Sequence, residues 1–281
     1  MLGGHKDNFL FEIGNAMRRN HFLKTQLDPK YHHVNIDYHQ GIKEGRVQEE
    51  FINEMRMKPM FAQLYENKFP PQDAVDTGGF SPLYTEDFLN GRIKPIIDIW
   101  GEMRLGCDVA GEGSNYSVIV LRGRNGARVL YKEHNPDTMN FVGIILNEFK
   151  KYRDSKIYVD KVGIGKGVYD RLAEIPALED HLIGVNAGEA SDTADCFNKR
   201  AEMFWRQREW LETAYLEGNQ WVDMLDVRYK IQSDKKVKIK SKQEMMKDNI
   251  MSPDVADSLA LTFYDLPFNQ GGVRVSIPDY E

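Results

Sequence analysis

The sequence is poor in cysteine and has no long hydrophobic run. Its 281 residues include two cysteines, Cys107 and Cys196, whose spacing fits no zinc site and allows at most one disulfide. No segment approaches the ~18 consecutive apolar residues of a membrane-spanning helix, and the first residues lack the basic-then-apolar profile of a signal peptide. We therefore expect a globular protein of a reducing compartment, the cytoplasm.

The chain also lacks an excess of positive charge and a phosphate-binding loop. Its net charge of -6 argues against a general nucleic-acid coat, which would be basic. No glycine-rich loop ends in Lys-Ser or Lys-Thr. Positive charge is concentrated in residues 228–247, where Asp234 and Glu244 are the only acidic residues. Such a run is usually a solvated face, and it becomes a phosphate-contacting surface only beside an active site.

A regular strand pattern begins near residue 103. Five apolar segments predict strands, at residues 104–109, 116–121, 127–133, 156–160 and 181–185. The Asn125-Gly126 pair predicts a hairpin between the second and third strands. A helix over 140–152, with Asp137 as its N-cap, precedes the fourth strand, and a helix over 168–173 connects the fourth strand to the fifth. Because strand-helix-strand units are normally parallel, we predict an α/β mixed sheet of three antiparallel strands followed by strands that alternate with helices.

Other segments predict helices around this sheet. Residues 198–218 form an amphipathic pattern that Gly218 would end, and residues 236–240 alternate as a short strand. Ser252 is a suitable N-cap, with Pro253 at the first position, for a last helix. The first hundred residues contain helical patches but no run of core strands, apart from one short candidate strand at 35–38.

Four aspartates are placed where chemistry is expected. Asp108 ends the first strand, Asp160 ends the fourth, and Asp254 and Asp257 lie three residues apart near the start of the last helix. Each alone reads equally well as a turn, cap or helix-dipole residue. If the first and fourth strands are neighbours, the carboxylates repel one another and stay ionised around a divalent cation. All-oxygen ligands favour Mg²⁺ or Mn²⁺, and two such ions promote phosphodiester hydrolysis.

Residues 103–265 resemble the nuclease domain of the large terminase subunit of tailed bacteriophages, a ribonuclease H-like fold. Four segments carry the resemblance, in the expected order: GCDVAGEGSNYSVIVL (106–121), YVDKVGIGKGVYDRL (158–172), NKRAEMFWRQREWL (198–211) and IKSKQEMMKDNIMSPDVADSLALTF (239–263). The resemblance implies Asp108, Asp160 and Asp254 as catalytic metal ligands, with Asp257 as a helper or alternative third ligand. Four basic residues are assigned to DNA binding: Lys166, Arg200, Lys240 and Lys242.

The first hundred residues resemble the end of the terminase ATPase domain, in IDYHQGIKEGRVQEEFINEMR (36–56) and YENKFPPQD (65–73). The family's Walker motifs are absent, so the resemblance implies a truncated or split product that does not hydrolyse ATP. We accordingly divide the chain into an ATPase-derived segment at 1–100, a nuclease domain at 101–267 and a tail at 268–281.

The resemblance implies a two-metal endonuclease that cuts concatemeric viral DNA during packaging. Its expected partners are double-stranded DNA, the portal protein and the small terminase subunit, in the host cytoplasm. Two alternatives stay open. An actin-like or sugar-kinase-like ATPase also places an Asp after its first strand, although Gly271-Gly272 lies too near the terminus for an adenosine site. A non-catalytic docking module would use the aromatic residues of 65–80.

Overall fold

The structure, a computed structural model, describes residues 11–16, 21–28, 30–56, 61–69, 75–76, 78–111, 113, 115–234 and 236–264. The chain divides into two compact units, Met1–Ala74 and Val75–Glu281. The predicted tail at 268–281, with Gly271-Gly272, lies outside the described residues. The assignment of residues 1–100 to an ATPase remnant stays a prediction.

The described part of the smaller unit is helical. Its helices are α1 (His21–Leu27), α2 (Tyr38–Lys43), α3 (Glu49–Met55) and α4 (Phe61–Leu64). The predicted strand at 35–38 is wrong. Asp37 instead caps α2, because its side chain accepts the backbone N–H groups of His39 and Gln40. Aspartate is a preferred N-cap residue because its carboxylate accepts the free N–H groups of the first helical turn.

The larger unit contains the strands. Its elements in chain order are β1 (Ser81–Pro82), α5 (Glu86–Asn90), β2 (Ile93–Lys94), β3 (Arg104–Asp108), β4 (Ser117–Arg122), β5 (Gly126–Glu133), α6 (Thr138–Lys151), β6 (Lys156–Asp160), α7 (Gly165–Ala173), β7 (Leu182–Val185), α8 (Lys199–Trp210), β8 (Tyr215–Glu217), β9 (Arg228–Ile231), β10 (Val237–Ile239), α9 (Lys242–Lys247) and α10 (Asp254–Leu261). Short 3-10 turns occur at Pro176–Leu178 and Val222–Asp226.

Seven strands form one mixed sheet in the order β2-β8-β5-β4-β3-β6-β7. β3, β4 and β5 are antiparallel neighbours, whereas β6 runs parallel to both β3 and β7. Three antiparallel strands followed by alternating strands and helices were predicted, and the structure confirms this α/β architecture. A separate three-stranded antiparallel sheet has the order β1-β9-β10.

Apolar side chains cover both faces of the large sheet. One face packs against α6 and α7, through residues such as Phe141 and Leu172. The other packs against α8 and α10, through residues such as Phe204 and Leu259. A sheet covered on both sides needs strands that are apolar on both faces, and β4 is buried along its whole length.

Helix α10 lies directly on β3 because Gly106 has no side chain. A Cβ atom at Gly106 would stand 1.9 Å from the Ser258 carbonyl oxygen. The Ser258 hydroxyl donates to the Gly106 carbonyl at 2.8 Å. The first turn of α10 is thereby held close to the end of β3.

The predicted helix over 198–218 is too long. Helix α8 starts after Asn198, whose side chain caps it, but it ends at Trp210. Residues of β8 then pair in parallel with β5 and β2. The helical spacing continues past Trp210. The segment nevertheless forms a strand, because its backbone hydrogen-bonds to the edges of β5 and β2, which would otherwise be unpaired.

The predicted cap of α10 is also wrong. Ser252 is not the N-cap; Pro253 occupies that position and makes no side-chain capping bond. Asp223 accepts the Val255 N–H at 2.8 Å instead. A residue 32 positions upstream therefore replaces the local cap, a contact that local sequence patterns do not reveal.

Candidate active site

Two aspartates emerge together at the carboxyl edge of the sheet. Asp108 is the last residue of β3 and Asp160 is the last residue of β6. These strands are parallel neighbours, and the register pairs Cys107 with Val159, one residue before each aspartate. The carboxyl ends of adjacent parallel strands meet at one edge, so both side chains are delivered to the same place.

Helix α10 brings the other two aspartates to this edge. Asp254 and Asp257 lie in its first turn and are each 4% exposed. The Tyr116 backbone N–H donates to Asp254 Oδ2 at 2.7 Å, which ties this carboxylate to the loop before β4. The four aspartates therefore come from three elements that are far apart in sequence.

Two cationic side chains enter the cluster. Arg200 Nη1 of α8 lies 2.7 Å from Asp257 Oδ1, and Lys242 Nζ of α9 lies 3.1 Å from Asp257 Oδ2. Lys242 Nζ is also 3.8 Å from Asp108 Oδ2. Four carboxylates thus face two cations, which leaves an excess of two negative charges when all are ionised.

The groups border a small cleft of about 40 Å³, which has room for one or a few water-sized species. Asp108, Asp160 and Asp257 line it together with Arg200 and Lys242. Its remaining wall is mostly apolar: Ala187, Met203, Phe204, Ala260 and Leu261. Asp254 does not line the cleft, but its charge acts on Asp108, so it lies close by.

The electrostatics of the four aspartates differ. Burial raises the pKa of Asp108 to about 7; Lys242 opposes this rise, and the charges of the other three aspartates add to it. Burial also raises the pKa of Asp160 and of Asp254. Burial acts the same way on Asp257, but Arg200 and Lys242 outweigh it and lower its pKa.

The cluster fits a divalent cation in its chemistry but is not arranged as a finished metal site. Among the described residues, no group of three or more His, Cys, Asp and Glu side chains is placed to hold a metal ion directly. The donors are nevertheless hard carboxylate oxygens with excess negative charge. Both Asp257 oxygens are buried, and their partners among the described residues are the two cations Arg200 and Lys242.

Two of the basic residues assigned to DNA lie elsewhere. Lys166 is an exposed residue of α7 that pairs with Asp170 one turn along. Lys240 is 2% exposed, and its ammonium is enclosed by Asp76 and Asp248. The structure therefore does not bring Lys240 to the cluster. Its charge is compensated inside the protein by the two carboxylates of Asp76 and Asp248.

Sequence reasoning missed two supports of the site. Asp223 anchors the start of α10, and the Tyr116 N–H fixes Asp254. Arg200, which was assigned to DNA, pairs with Asp257 in the structure, and its contact with DNA stays a prediction. Neither support has a local signal, because a backbone N–H carries no residue identity and the short 3-10 turn that holds Asp223 matches no capping or catalytic motif.

The larger unit has the ribonuclease H-like fold of phage terminase nuclease domains. No family model matches the chain, and no curated protein matches it in sequence. Among solved structures, the nuclease domain of the large terminase subunit gp2 of bacterial virus Sf6 superposes with a TM-score of 0.57 at 14% identity, covering 66% of this chain and 100% of that one. The predicted resemblance is thereby confirmed at the level of the fold.

Two structures of one point mutant of the same Sf6 domain are also similar. One, solved with manganese and β-thujaplicinol, has a TM-score of 0.57 at 13% identity and covers 66% of this chain and 100% of that one. Another, solved with calcium, has a TM-score of 0.55 at 14% identity and covers 65% and 98%. Both structures were solved with a divalent metal. Sequence identities this low show similarity of the fold alone.

Proposed function

We propose that this chain is a metal-dependent endonuclease of a phage DNA-packaging terminase, which cleaves concatemeric viral DNA. The main support is the convergence of Asp108, Asp160 and Asp257, from β3, β6 and α10, on one cleft, with Asp254 close by and an excess of negative charge. The likeness to the Sf6 gp2 nuclease domain, with manganese or calcium in two of its structures, points to the same chemistry.

Asp108, Asp160 and Asp254 would hold two Mg²⁺ or Mn²⁺ ions. Asp254 is preferred over Asp257 as the third ligand because Asp257 already has two cationic partners. No basic side chain of the described residues lies within salt-bridge distance of Asp254, and the Tyr116 backbone N–H donates to it. When bound, such ions activate water and neutralise the charge that develops on the scissile phosphate.

The chain's own residues would orient the substrate around that centre. Asp257 holds Arg200 and Lys242 beside the other carboxylates. The Lys242 side chain is 47% exposed, so it reaches solvent and is available to a DNA phosphate. The apolar wall of the cleft limits water, which strengthens these charge interactions.

The wider setting follows from the same proposal. We place the chain in the host cytoplasm, with double-stranded DNA as substrate and the portal protein and small terminase subunit as partners. None of the described helices is both long and apolar enough to cross a bilayer. Lys166 would contact DNA away from the cleft, and we expect no ATP turnover by this chain.

The first test is Asp108→Ala assayed on plasmid DNA with Mn²⁺. Asp108 interacts electrostatically with Lys242 and with the other three aspartates of the cluster. We therefore expect its removal to lower cleavage by about 10³-fold or more. Circular dichroism and thermal unfolding check that the variant is folded. Nicking at the wild-type rate by folded Asp108→Ala would reject the nuclease assignment.

A second comparison separates the two aspartates of α10. We expect Asp254→Asn to abolish Mn²⁺ binding measured by calorimetry, since it removes a ligand. Asp257→Asn should keep metal binding and lower cleavage, because it releases Arg200 and Lys242. The reverse pattern would make Asp257 the third ligand.

A further inference from the structure

We propose that Tyr116, Lys132 and His134 form a second DNA-contacting surface, which binds the phosphate backbone on the β5 side of the active site. This surface, called here the Tyr116 surface, rests on the proposed nuclease function and names how the same site holds its substrate. Its residues play no part in the carboxylate cluster except through one backbone N–H.

Strand register places Lys132 in line with Asp108. Asp108 pairs with Val118 across β3 and β4, and Val118 pairs with Lys132 across β4 and β5. Directly opposed residues of antiparallel strands project to the same face. With neighbouring strands about 4.8 Å apart, the Cα atoms of Asp108 and Lys132 are separated by roughly 10 Å.

That shared face is the one covered by α10. Val118 belongs to the core cluster that includes Val255 and Ala256 of α10, and Tyr116 packs against it. Tyr131 packs in the core on the other face, as alternation along β5 requires. Lys132 therefore projects to the side of the sheet where Asp254 lies.

The three side chains form one compact group. The Tyr116 and His134 rings are stacked, with centroids 3.8 Å apart, and Lys132 Nζ lies 5.1 Å from the Tyr116 ring centre. His134 Nδ1 donates to the Asn115 carbonyl at 3.0 Å, because a carbonyl can only accept. The Tyr116 N–H meanwhile binds Asp254, so the group is fixed to the catalytic edge.

The charge of Lys132 is uncompensated among the described residues. No carboxylate of the described chain lies within salt-bridge distance of its ammonium, unlike Lys240, which has two. His134 is exposed, and Tyr116 and Lys132 are partly exposed. Lysine ammonium and tyrosine hydroxyl groups are donors to DNA phosphates. The Nδ1–H of His134 is already used by the Asn115 carbonyl, so its role in this surface is to hold the Tyr116 ring by stacking.

The position of this group suits a duplex that crosses the cleft. Lys242 and Arg200 approach the aspartates through Asp257, whereas β5 lies on the other side of β3 from β6. A separation of roughly 10 Å between the Cα atoms corresponds to a phosphate within a few nucleotides of the scissile bond. Contacts on both sides would hold the backbone across the metal ligands.

The test measures binding of a fluorescein-labelled 30-base-pair duplex by anisotropy, in EDTA so that no cleavage occurs, from 50 to 300 mM salt. The variants are Lys132→Ala and His134→Ala. Lys150→Ala is the matched control, since Lys150 is an exposed lysine of α6, the helix on the opposite face. All keep the Tyr116 backbone N–H that binds Asp254.

We expect Lys132→Ala to weaken binding about 3- to 10-fold at low salt and to reduce the slope of log affinity against log salt by about 0.9. His134→Ala should weaken binding less, and Lys150→Ala should leave both values unchanged. Equal slopes for Lys132→Ala and Lys150→Ala would overturn the Tyr116 surface while wild-type cleavage still supports the nuclease. If the wild-type chain neither binds nor cuts duplex DNA, the proposed function fails and the surface with it.

Discussion

Lys240 and Lys242 are two residues apart in sequence but occupy opposite environments. Lys240, just after β10, is 2% exposed and enclosed by Asp76 and Asp248, with its Nζ 5.2 Å from the Phe80 ring centre. The Lys242 side chain, at the start of α9, is 47% exposed and reaches into a cluster of four aspartates. One lysine closes an inner ion cluster, and the other faces a cleft.

The two clusters differ in how well the carboxylate oxygens are hydrogen-bonded to groups other than the cations. Asp76 accepts the backbone N–H groups of Gly78 and Phe80 in addition to its contact with Lys240. Asp257, in contrast, has two buried oxygens whose partners among the described residues are the two cations Arg200 and Lys242. A buried ion group with satisfied hydrogen bonds holds a structure together, whereas a crowded and unsatisfied one is typical of functional sites.

The largest expected effect on stability comes from breaking the enclosed cluster. Lys240→Met would leave Asp76 and Asp248 facing each other without their shared cation, and we expect the free energy of unfolding to fall by about 3 kcal/mol. Urea unfolding followed by tryptophan fluorescence measures it. Lys238→Met, which removes a more exposed pair with Glu244, is the control and should cost under about 1 kcal/mol. Similar losses for both variants would erase the distinction drawn between the two lysines.

The corresponding change at the cleft should affect cleavage rather than stability. Lys242→Met removes a half-exposed cation that contacts Asp257 and Asp108. We expect plasmid cleavage in Mn²⁺ to fall by about 10- to 100-fold, or roughly 1.4 to 2.7 kcal/mol in transition-state stabilisation, with little change in urea unfolding. A variant that unfolds readily but cuts at the wild-type rate would reverse the comparison.

The two clusters should also respond oppositely to pH. The pKa of Asp108 is raised from 3.8 to about 7, mainly by burial. The folded chain therefore holds this proton more tightly than the unfolded chain, and the free energy of unfolding in EDTA should fall as pH rises from about 4 to about 7. Asp108→Asn should reduce that fall and gain about 1–3 kcal/mol at pH 8, while the raised pKa values of Asp160 and Asp254 keep part of it.

Asp76 provides the opposite case and the smallest expected effect. Burial opposes ionisation, but contacts with Lys240 and with the Phe80 N–H lower its pKa below 3.8. Its contribution is present above the ordinary pKa and is lost as pH falls through the lower folded value. Asp76→Asn should make stability less dependent on pH below about pH 4 and leave the dependence between about pH 4 and 7 unchanged. A change confined to the higher range would contradict this division.

Much of the larger unit could be predicted from local patterns. The alternation and apolar runs of β3 to β7, the Asn125-Gly126 hairpin and the Asp137 cap of α6 all match the structure. So does the parallel pairing of β6 with β7, as expected for a strand-helix-strand unit. The condition that the first and fourth strands are neighbours is also met, since β3 pairs with β6. Local patterns failed where pairing with a distant segment outweighed local propensity. Residues of β8 have a helical spacing, but they form a strand because they pair with β5 and β2.

By itself, the sequence determined which aspartates end strands and begin a helix, because strand ends, helix starts and their capping residues are local properties of the chain. Only the tertiary structure decided which charges meet. Lys240 finds Asp76 across 164 residues, and Arg200 finds Asp257 from another helix. Such pairings depend on how strands and helices pack. The same residue type, two positions apart, can therefore become an internal ion pair or part of a site.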